Sequence, residues 1–209
     1  MAFSSRKYWN RRYSKGRGSS LVPQKKEILE FKSQSINFFI YQNNIKNMLD
    51  YGCGDGVFMN LLKVDQYHGV DISDGIISRL NEQYKHDNTK EFYWKREKPN
   101  VKYDLVLSMD VMDNLVEDSL YNEYIGHCAK NCGKFLIVSG SNKSAPYSAG
   151  SYVKQRAFSE DLKNADFELV QQVEILDSGS YLYFYKKLTE TMKRERSRQS
   201  KKAFWGSFR

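Results

Sequence analysis

The sequence predicts an open α/β sheet with helices on both faces, and three observations predict it. Ile45, Met48 and Leu49 form an apolar run that leads into Asp50 and then into Gly52, Gly54 and Gly56, three glycines at every second position. Val57, Phe58, Met59, Leu61 and Leu62 follow as the start of a helix. A strand that turns through glycines into a helix N-terminus is the ligand-binding edge of such a sheet. Further on, apolar runs and helical patterns alternate up to Phe135-Leu136-Ile137-Val138, an unbroken run of the kind buried on both faces of a sheet.

The elements follow in order. Residues 1–22 form a basic, aromatic arm in which Tyr8, Trp9 and Tyr13 interleave with cations. Gly16, Gly18, Ser19 and Ser20 break regular structure there, so a mobile arm is expected. Pro23 suits the first turn of a helix. Ile28, Phe31, Ser35 and Phe39 recur at helical spacing, so residues 23–42 read as an amphipathic helix. Strand one is expected at 46–51, a helix at 57–63 and strand two at 67–71. Ile76, Ile77, Leu80 and Tyr84 mark the next helical face. Phe92, Tyr93 and Trp94 read as strand three and residues 103–108 as strand four. A helix carrying Leu120 and Tyr124 precedes strand five at 135–138. The loop 139–151 is long for a compact domain, and long loops at a ligand rim tend to be functional. Phe167 to Ile175 and Tyr181 to Tyr185 read as strands six and seven. The domain thus spans 23–188, and a basic tail runs from 189 to 209.

Size and charge bound the function. The chain of 209 residues is long enough for one α/β core, and 40% apolar with 14% aromatic residues supports a folded chain. No run approaches the roughly 20 apolar residues of a membrane span. The N-terminus lacks the apolar stretch of a signal peptide. Cys53, Cys128 and Cys132 make no disulfide framework, so a reducing cytoplasm is the expected compartment. His127, Cys128 and Cys132 lack the fourth ligand of a structural zinc, so no metal is expected. The net charge of +8 is uneven: residues 1–20 hold six basic groups and no acid, and residues 193–209 hold seven against Glu195. The rest of the chain therefore carries a net −4. Basic arms on an acidic body suit a nucleic acid or another acidic partner for residues 1–20 and 189–209, or serve solubility.

The glycine spacing selects the ligand. A dinucleotide fingerprint would place its third glycine at Val57, whereas here it is Gly56. Asp50 before the first glycine would repel phosphate but suits an ammonium or a sulfonium. Asp71, at the tip of strand two, can accept both hydroxyls of a ribose. Together they point to adenosine joined to a cationic amino acid.

This pattern resembles the class I S-adenosylmethionine-dependent methyltransferases. Asp50, Gly52, Gly54 and Gly56 stand where that family has its first motif, Asp71 where it has the ribose-binding acid, and Tyr103 to Asp110 where it has its fourth motif. The resemblance spans roughly residues 24–187. It implies a Rossmann-like fold, a mostly parallel seven-stranded sheet with an antiparallel last strand, and S-adenosyl-L-methionine as cofactor. Cys53, Ile72, Ser108 and Met109 fall at cofactor-binding positions, and Trp94 and Phe92 are stacking candidates for adenine. Tyr8 to Tyr13 with Gly16 and Gly18, Asp110-Val111 with Leu115 to Asp118, and Tyr152 to Arg156 are similar to a group of short bacterial and phage-type members of undefined substrate. Those members often carry histidines where this chain has Asn114 and Tyr152. Their N-terminal segment lies beside the cofactor pocket.

The chemistry follows from the cofactor. A methyl on sulfur needs a nucleophile held in line, and a hydroxyl or ammonium acceptor also needs a base. Asp110, first past strand four, is the candidate acid nearest the methyl, with Tyr152 as a second catalytic candidate. Lys154, Arg156 and Asp113 are the candidate substrate-binding residues, and the two cations could instead contact the cofactor carboxylate. The place after strand four lacks the Asp/Asn-Pro-Pro-aromatic sequence of exocyclic amine methylation, and there is no Pro-Cys nucleophile of a cytosine C5 enzyme. Asp110 with Lys143 or Lys154 could be fitted to the Lys-Asp-Lys-Glu tetrad of a ribose 2′-O enzyme, but a lysine-rich chain supplies such pairs by chance. A hydroxyl on a small or sugar-like molecule is the favoured acceptor. The competing reading is a nucleic-acid- or complex-binding protein on the same scaffold, working through its basic arms.

Overall fold

In the computed structural model the described residues are 3–19, 26–95, 100–176, 178–195 and 198. Their elements run α1 (Ser5–Ser14), α2 (Lys26–Gln42), β1 (Asn47–Tyr51), β2 (Gln66–Asp71), α3 (Asp74–Gln83), β3 (Lys90–Trp94), β4 (Tyr103–Met109), α4 (Asp118–Asn131), β5 (Cys132–Gly140), α5 (Ser159–Asn164), β6 (Phe167–Glu174) and β7 (Tyr181–Lys187). The seven strands form one sheet in the order β3-β2-β1-β4-β5-β7-β6. The first five are parallel, and β7 runs antiparallel to both β5 and β6. The order reverses between β1 and β4, so the crevice beyond their carboxyl ends is the expected ligand position.

Each face of the sheet is covered. One apolar layer joins α1, α2 and α3 to the sheet through Trp9, Tyr13, Ile36, Phe39, Ile76 and Leu80. The other joins α4 and α5 through Tyr121, Tyr124, Cys128 and Leu162. Central strands are buried on both faces: Leu105, Val106 and Leu107 on β4 and Leu136, Ile137 and Val138 on β5 are all inaccessible. Cys53, Cys128 and Cys132 are buried and form no disulfide among the described residues, which hold no cluster of metal ligands. No helix among them is long and apolar enough to cross a membrane.

Three expectations need correction. The arm is not irregular: residues 5–14 are helical, started by Ser4, whose side chain accepts from the Lys7 N–H, and anchored by buried Trp9 and Tyr13. The helix expected at 57–63 is a single tight turn, Met59–Leu61. Asn37 of α2 explains why: its Nδ2 donates to Leu61 O (2.8 Å) and its Oδ1 accepts from Lys63 N (2.8 Å), capturing groups that a longer helix would need. The loop after β5 is followed by α5, a short helix not read from the sequence. Pro23 and most of the tail, 196, 197 and 199–209, lie outside the described residues.

Candidate functional site

The glycine bend is held by β2. The N–H groups of Gly52 and Cys53 both donate to Val70 O (2.7 and 3.0 Å). Gly52 has φ +100°, and a Cβ there would lie 2.4 Å from Val111 Cγ2. Gly54 has φ +57°, and a Cβ there would lie 2.0 Å from the Ser19 hydroxyl. Both positions therefore demand glycine, for conformation and for space.

Two buried carboxylates sit at the bend. Asp50 accepts from the Tyr67 hydroxyl (2.6 Å) at Oδ2, while its buried Oδ1 has no partner among the described residues. Burial pushes the Asp50 carboxyl up to about 7; the Tyr67 hydrogen bond opposes this and the charge of Asp71 adds to it. Asp71 accepts from Ser73 N (2.8 Å) and Gly54 N (3.1 Å), and burial lifts it to about 6 against those two bonds.

The end of β4 supplies a third carboxylate. Asp110 has φ +56°, and its N–H donates to Ser139 Oγ (2.8 Å) while that hydroxyl donates back to Oδ1 (2.5 Å). Lys32, from α2, donates to Asp110 Oδ2 at 2.7 Å and is only 4% exposed. Asn114 Nδ2 donates to Asp110 O (2.5 Å), and the buried Asn114 Oδ1 has no partner among the described residues.

α1 roofs the crevice and is tied at both ends. Ser5 donates to Glu117 from its N–H (2.9 Å) and its hydroxyl (2.5 Å), and its hydroxyl accepts from Val116 N (3.1 Å). Beyond the helix, Ser19 N donates to Asp55 Oδ2 (2.9 Å) and Asp55 N donates to Ser19 Oγ (2.8 Å). Trp9, Tyr13, Gly18 and Ser19 thus line a cavity of about 490 Å³ together with the bend, and its walls also include Lys32, Asp50, Gly52, Cys53, Asp71, Ile72, Met109, Asp110, Asn114, Glu123 and Tyr124. That volume lies in the range of small-molecule and cofactor sites.

The profile of a family described as a methyltransferase domain matches residues 25–137, more than half of the chain. The chain belongs to that family. No curated protein matches it in sequence. Among solved structures, the methyltransferase resembles magnesium protoporphyrin IX methyltransferase from Synechocystis PCC 6803 with bound SAM, at 16% identity and TM-score 0.64 over 90% of this chain and 99% of that one. It also resembles the N-methyltransferase NodS from Bradyrhizobium japonicum WM9 in complex with S-adenosyl-L-homocysteine, at 14% identity and TM-score 0.65 over 90% and 100% of the two chains. The [4+2]-cyclase SpnF aligns with TM-score 0.66 at 10% identity, over 89% of this chain and 97% of that one. These likenesses are of fold. The family and fold make the chain a class I enzyme that takes its methyl from S-adenosylmethionine. The methyltransferase cavity suits that cofactor, because the buried Asp50 Oδ1, without a partner among the described residues, offers an acceptor to an ammonium, and Asp71 adds a second buried carboxylate to the same wall.

The structure brings Asp50, Gly52, Cys53, Asp71, Ile72, Met109 and Asp110 to the cavity wall and places the other candidates elsewhere. Gly54 stands behind the bend under Ser19, and Gly56 backs onto Leu80. Ser108 is buried beneath, where the Tyr124 hydroxyl lies 2.7 Å from both Ser108 Oγ and Tyr51 O. Trp94 is turned away: its Nε1 donates to Ile72 O (3.1 Å), and the Arg6 guanidinium sits over its ring. Tyr152 is stacked on Tyr8 of α1, centroids 5.1 Å apart, because that ring offers it an apolar partner outside the cavity. Lys154 and Arg156 both donate to Asp118 (2.6 and 2.8 Å), and Arg156 also reaches Leu115 O and Val116 O. Asp113 accepts the N–H groups of Lys154 and Arg156. The expected substrate contacts Lys154, Arg156 and Asp113 therefore pin the long loop to the segment after β4 instead of facing the cavity. Lys32, Asn114, Tyr13 and Ser19 are cavity residues that the sequence reading did not select. Lys32 had left a signal: it interrupts a row of isoleucines, Ile28, Ile36 and Ile40, at spacing four on one face of α2.

Proposed function

We propose that this methyltransferase acts on a hydroxyl or similar nucleophile of a small or sugar-like acceptor, with Asp110 as the residue that orients or deprotonates it. The observation that carries this reading is the position of Asp110. Its side chain is 43% exposed at the cavity, at the strand end next to the glycine bend, and it is braced by Lys32 and Ser139. When bound, S-adenosylmethionine supplies an electrophilic methyl on a sulfonium sulfur. Asp71 would accept the ribose hydroxyls and Asp50 the ammonium. The roof of Trp9 and Tyr13 limits water near the reacting atoms and restricts the size of what can enter.

The wall chemistry favours an acceptor without phosphate. Asp50, Asp55, Asp71, Asp110 and Glu123 line the cavity, against Lys32 and Lys95 among its described cations. That balance repels a nucleic-acid backbone. Arg6 and Arg12 of the basic arm are engaged within the chain, Arg6 with Asp74 and Trp94 and Arg12 with Gly18 O. The second reading, an acidic or nucleic-acid partner for the arms, rests on the net charge of the chain's ends. Transfer of labelled methyl to a panel of hydroxyl, amine, carboxylate and RNA acceptors tests both. A small-molecule product is expected, with turnover lowered roughly 10²- to 10⁴-fold in Asp110→Asn. Methylated RNA with unlabelled small acceptors overturns the first reading in favour of the second.

A further inference from the structure

We propose that the outer face of α1 docks single-stranded nucleic acid, as a partner of the protein and not as its methyl acceptor; this rests on the second reading above and says where that partner binds. The inner face of α1 forms the roof: Ser5, Trp9 and Tyr13, spaced by four, are buried. On the opposite face Lys7, Arg11 and Lys15 repeat that spacing, and all three are exposed, as is Arg17 beyond them. Residues four apart on a helix lie about 5–6 Å from each other, so like charges there repel. None of these four side chains makes an ion pair among the described residues. Arg6 and Arg12, on the flanks of the helix, are by contrast held by Asp74, Trp94 and Gly18 O. The helix dipole favours Arg11 and Lys15 near the C-terminus but opposes Lys7 in the first turn, where no acid stands. The row thus breaks a local rule with no gain inside the chain, which points to a ligand that neutralises it.

The surroundings select the ligand. Lys7, Arg11 and Lys15 form an open row outside the cavity wall, which suits a polymer of repeating negative charge better than a single small anion. Aromatic rings border the row. Tyr8 follows Lys7 directly and is a neighbour of Arg11 at spacing three, and the exposed Tyr152 stacks on it with centroids 5.1 Å apart. Cations beside exposed rings are the means by which proteins hold the backbone and the bases of a single strand. A lipid surface fits less well: the apolar side of α1 is turned into the roof, and Lys7, Arg11, Ser14 and Lys15 offer no apolar side chain to insert. The five carboxylates of the cavity repel the same backbone, so a strand docked on the roof stays out of the methyl-transfer site.

Fluorescence anisotropy of the full chain with a labelled oligouridylate, at several salt concentrations, tests the docking strip. The wild type is expected to bind. The triple variant Lys7→Gln, Arg11→Gln, Lys15→Gln should bind at least about tenfold more weakly, and its slope of log affinity against log salt should be shallower by about two, at roughly 0.7 per phosphate contact. Tyr152→Ala should weaken binding about fivefold or more with the slope unchanged, because it removes a stacking ring and no charge. Calorimetry with S-adenosylhomocysteine should give the wild-type affinity in the triple variant, which shows that it is folded and keeps the cofactor reading separate. If the triple variant loses that affinity, Lys7→Gln alone must weaken oligouridylate binding and lower the slope, or the strip is refuted. Unchanged oligouridylate binding in a folded triple variant overturns the strip and moves the contact elsewhere on the chain. Tighter binding to vesicles of anionic lipid than to the oligouridylate overturns the choice of partner, and a wild type that binds neither overturns the second reading itself. Labelled methyl recovered on the oligouridylate makes it an acceptor and overturns its role as a partner.

Discussion

Cofactor binding should be coupled to pH through Asp50. Its carboxyl is raised to about 7 in the empty protein, chiefly by burial, and that of Asp71 to about 6. A ligand ammonium requires Asp50 to be ionised. Between about pH 6 and about pH 8 the ionised fraction of a group titrating at 7 rises about tenfold, so the affinity for S-adenosylhomocysteine should rise about tenfold from Asp50 alone. If the ribose requires ionised Asp71 as well, the combined rise is about twentyfold. Near pH 6.5, binding should release about one proton, visible when titrations are repeated in buffers of different ionisation enthalpy. The sign for stability is opposite in the empty protein. Both groups have folded values above their unfolded ones, so their stabilising contribution is complete below about 4 and is lost as pH rises through about 6 and 7. The melting temperature without ligand should therefore fall over that window, and S-adenosylhomocysteine should raise it more at high pH than at low pH. Asp50→Asn should flatten most of both dependences. An affinity constant from pH 6 to 8, or an unchanged slope in Asp50→Asn, would refute the assignment of Asp50 to the ammonium.

Gly52→Ala should destabilise the protein by about 1–3 kcal/mol and abolish measurable cofactor binding, because φ +100° and the Val111 methyl both oppose a Cβ; thermal unfolding and calorimetry check this, and wild-type values in both would refute it. Arg156→Ala should lower stability by about 1–3 kcal/mol through its lost bonds to Asp118, Leu115 O and Val116 O, while changing cofactor affinity less than about twofold. A large loss of affinity there would return Arg156 to the site. Ser19→Ala breaks the tie to Asp55 and should speed S-adenosylhomocysteine dissociation roughly fivefold in stopped-flow measurements, the effect of about 1 kcal/mol. An unchanged off-rate would show that the roof opens elsewhere.

Much of this protein was legible one residue at a time. Asp50, the three glycines and Asp71 declare themselves in sequence because a bend beside a cofactor constrains backbone conformation and charge locally. The strands were legible for the same reason, since parallel strands buried on both faces need continuous apolar runs such as Phe135 to Val138. What the chain order could not say was where long side chains end up. Tyr152, Lys154 and Arg156 lie in a loop that returns near the mouth, yet Tyr8 and Asp118, distant in sequence, take them up. The helix after the bend failed because Asn37 on another element took its backbone groups. Lys32 is the converse: a polar interruption of an apolar row, whose meaning appears when α2 packs against the end of β4. Local conformation and burial are written in neighbouring residues, whereas the partner of a charge is chosen by elements that meet only after folding.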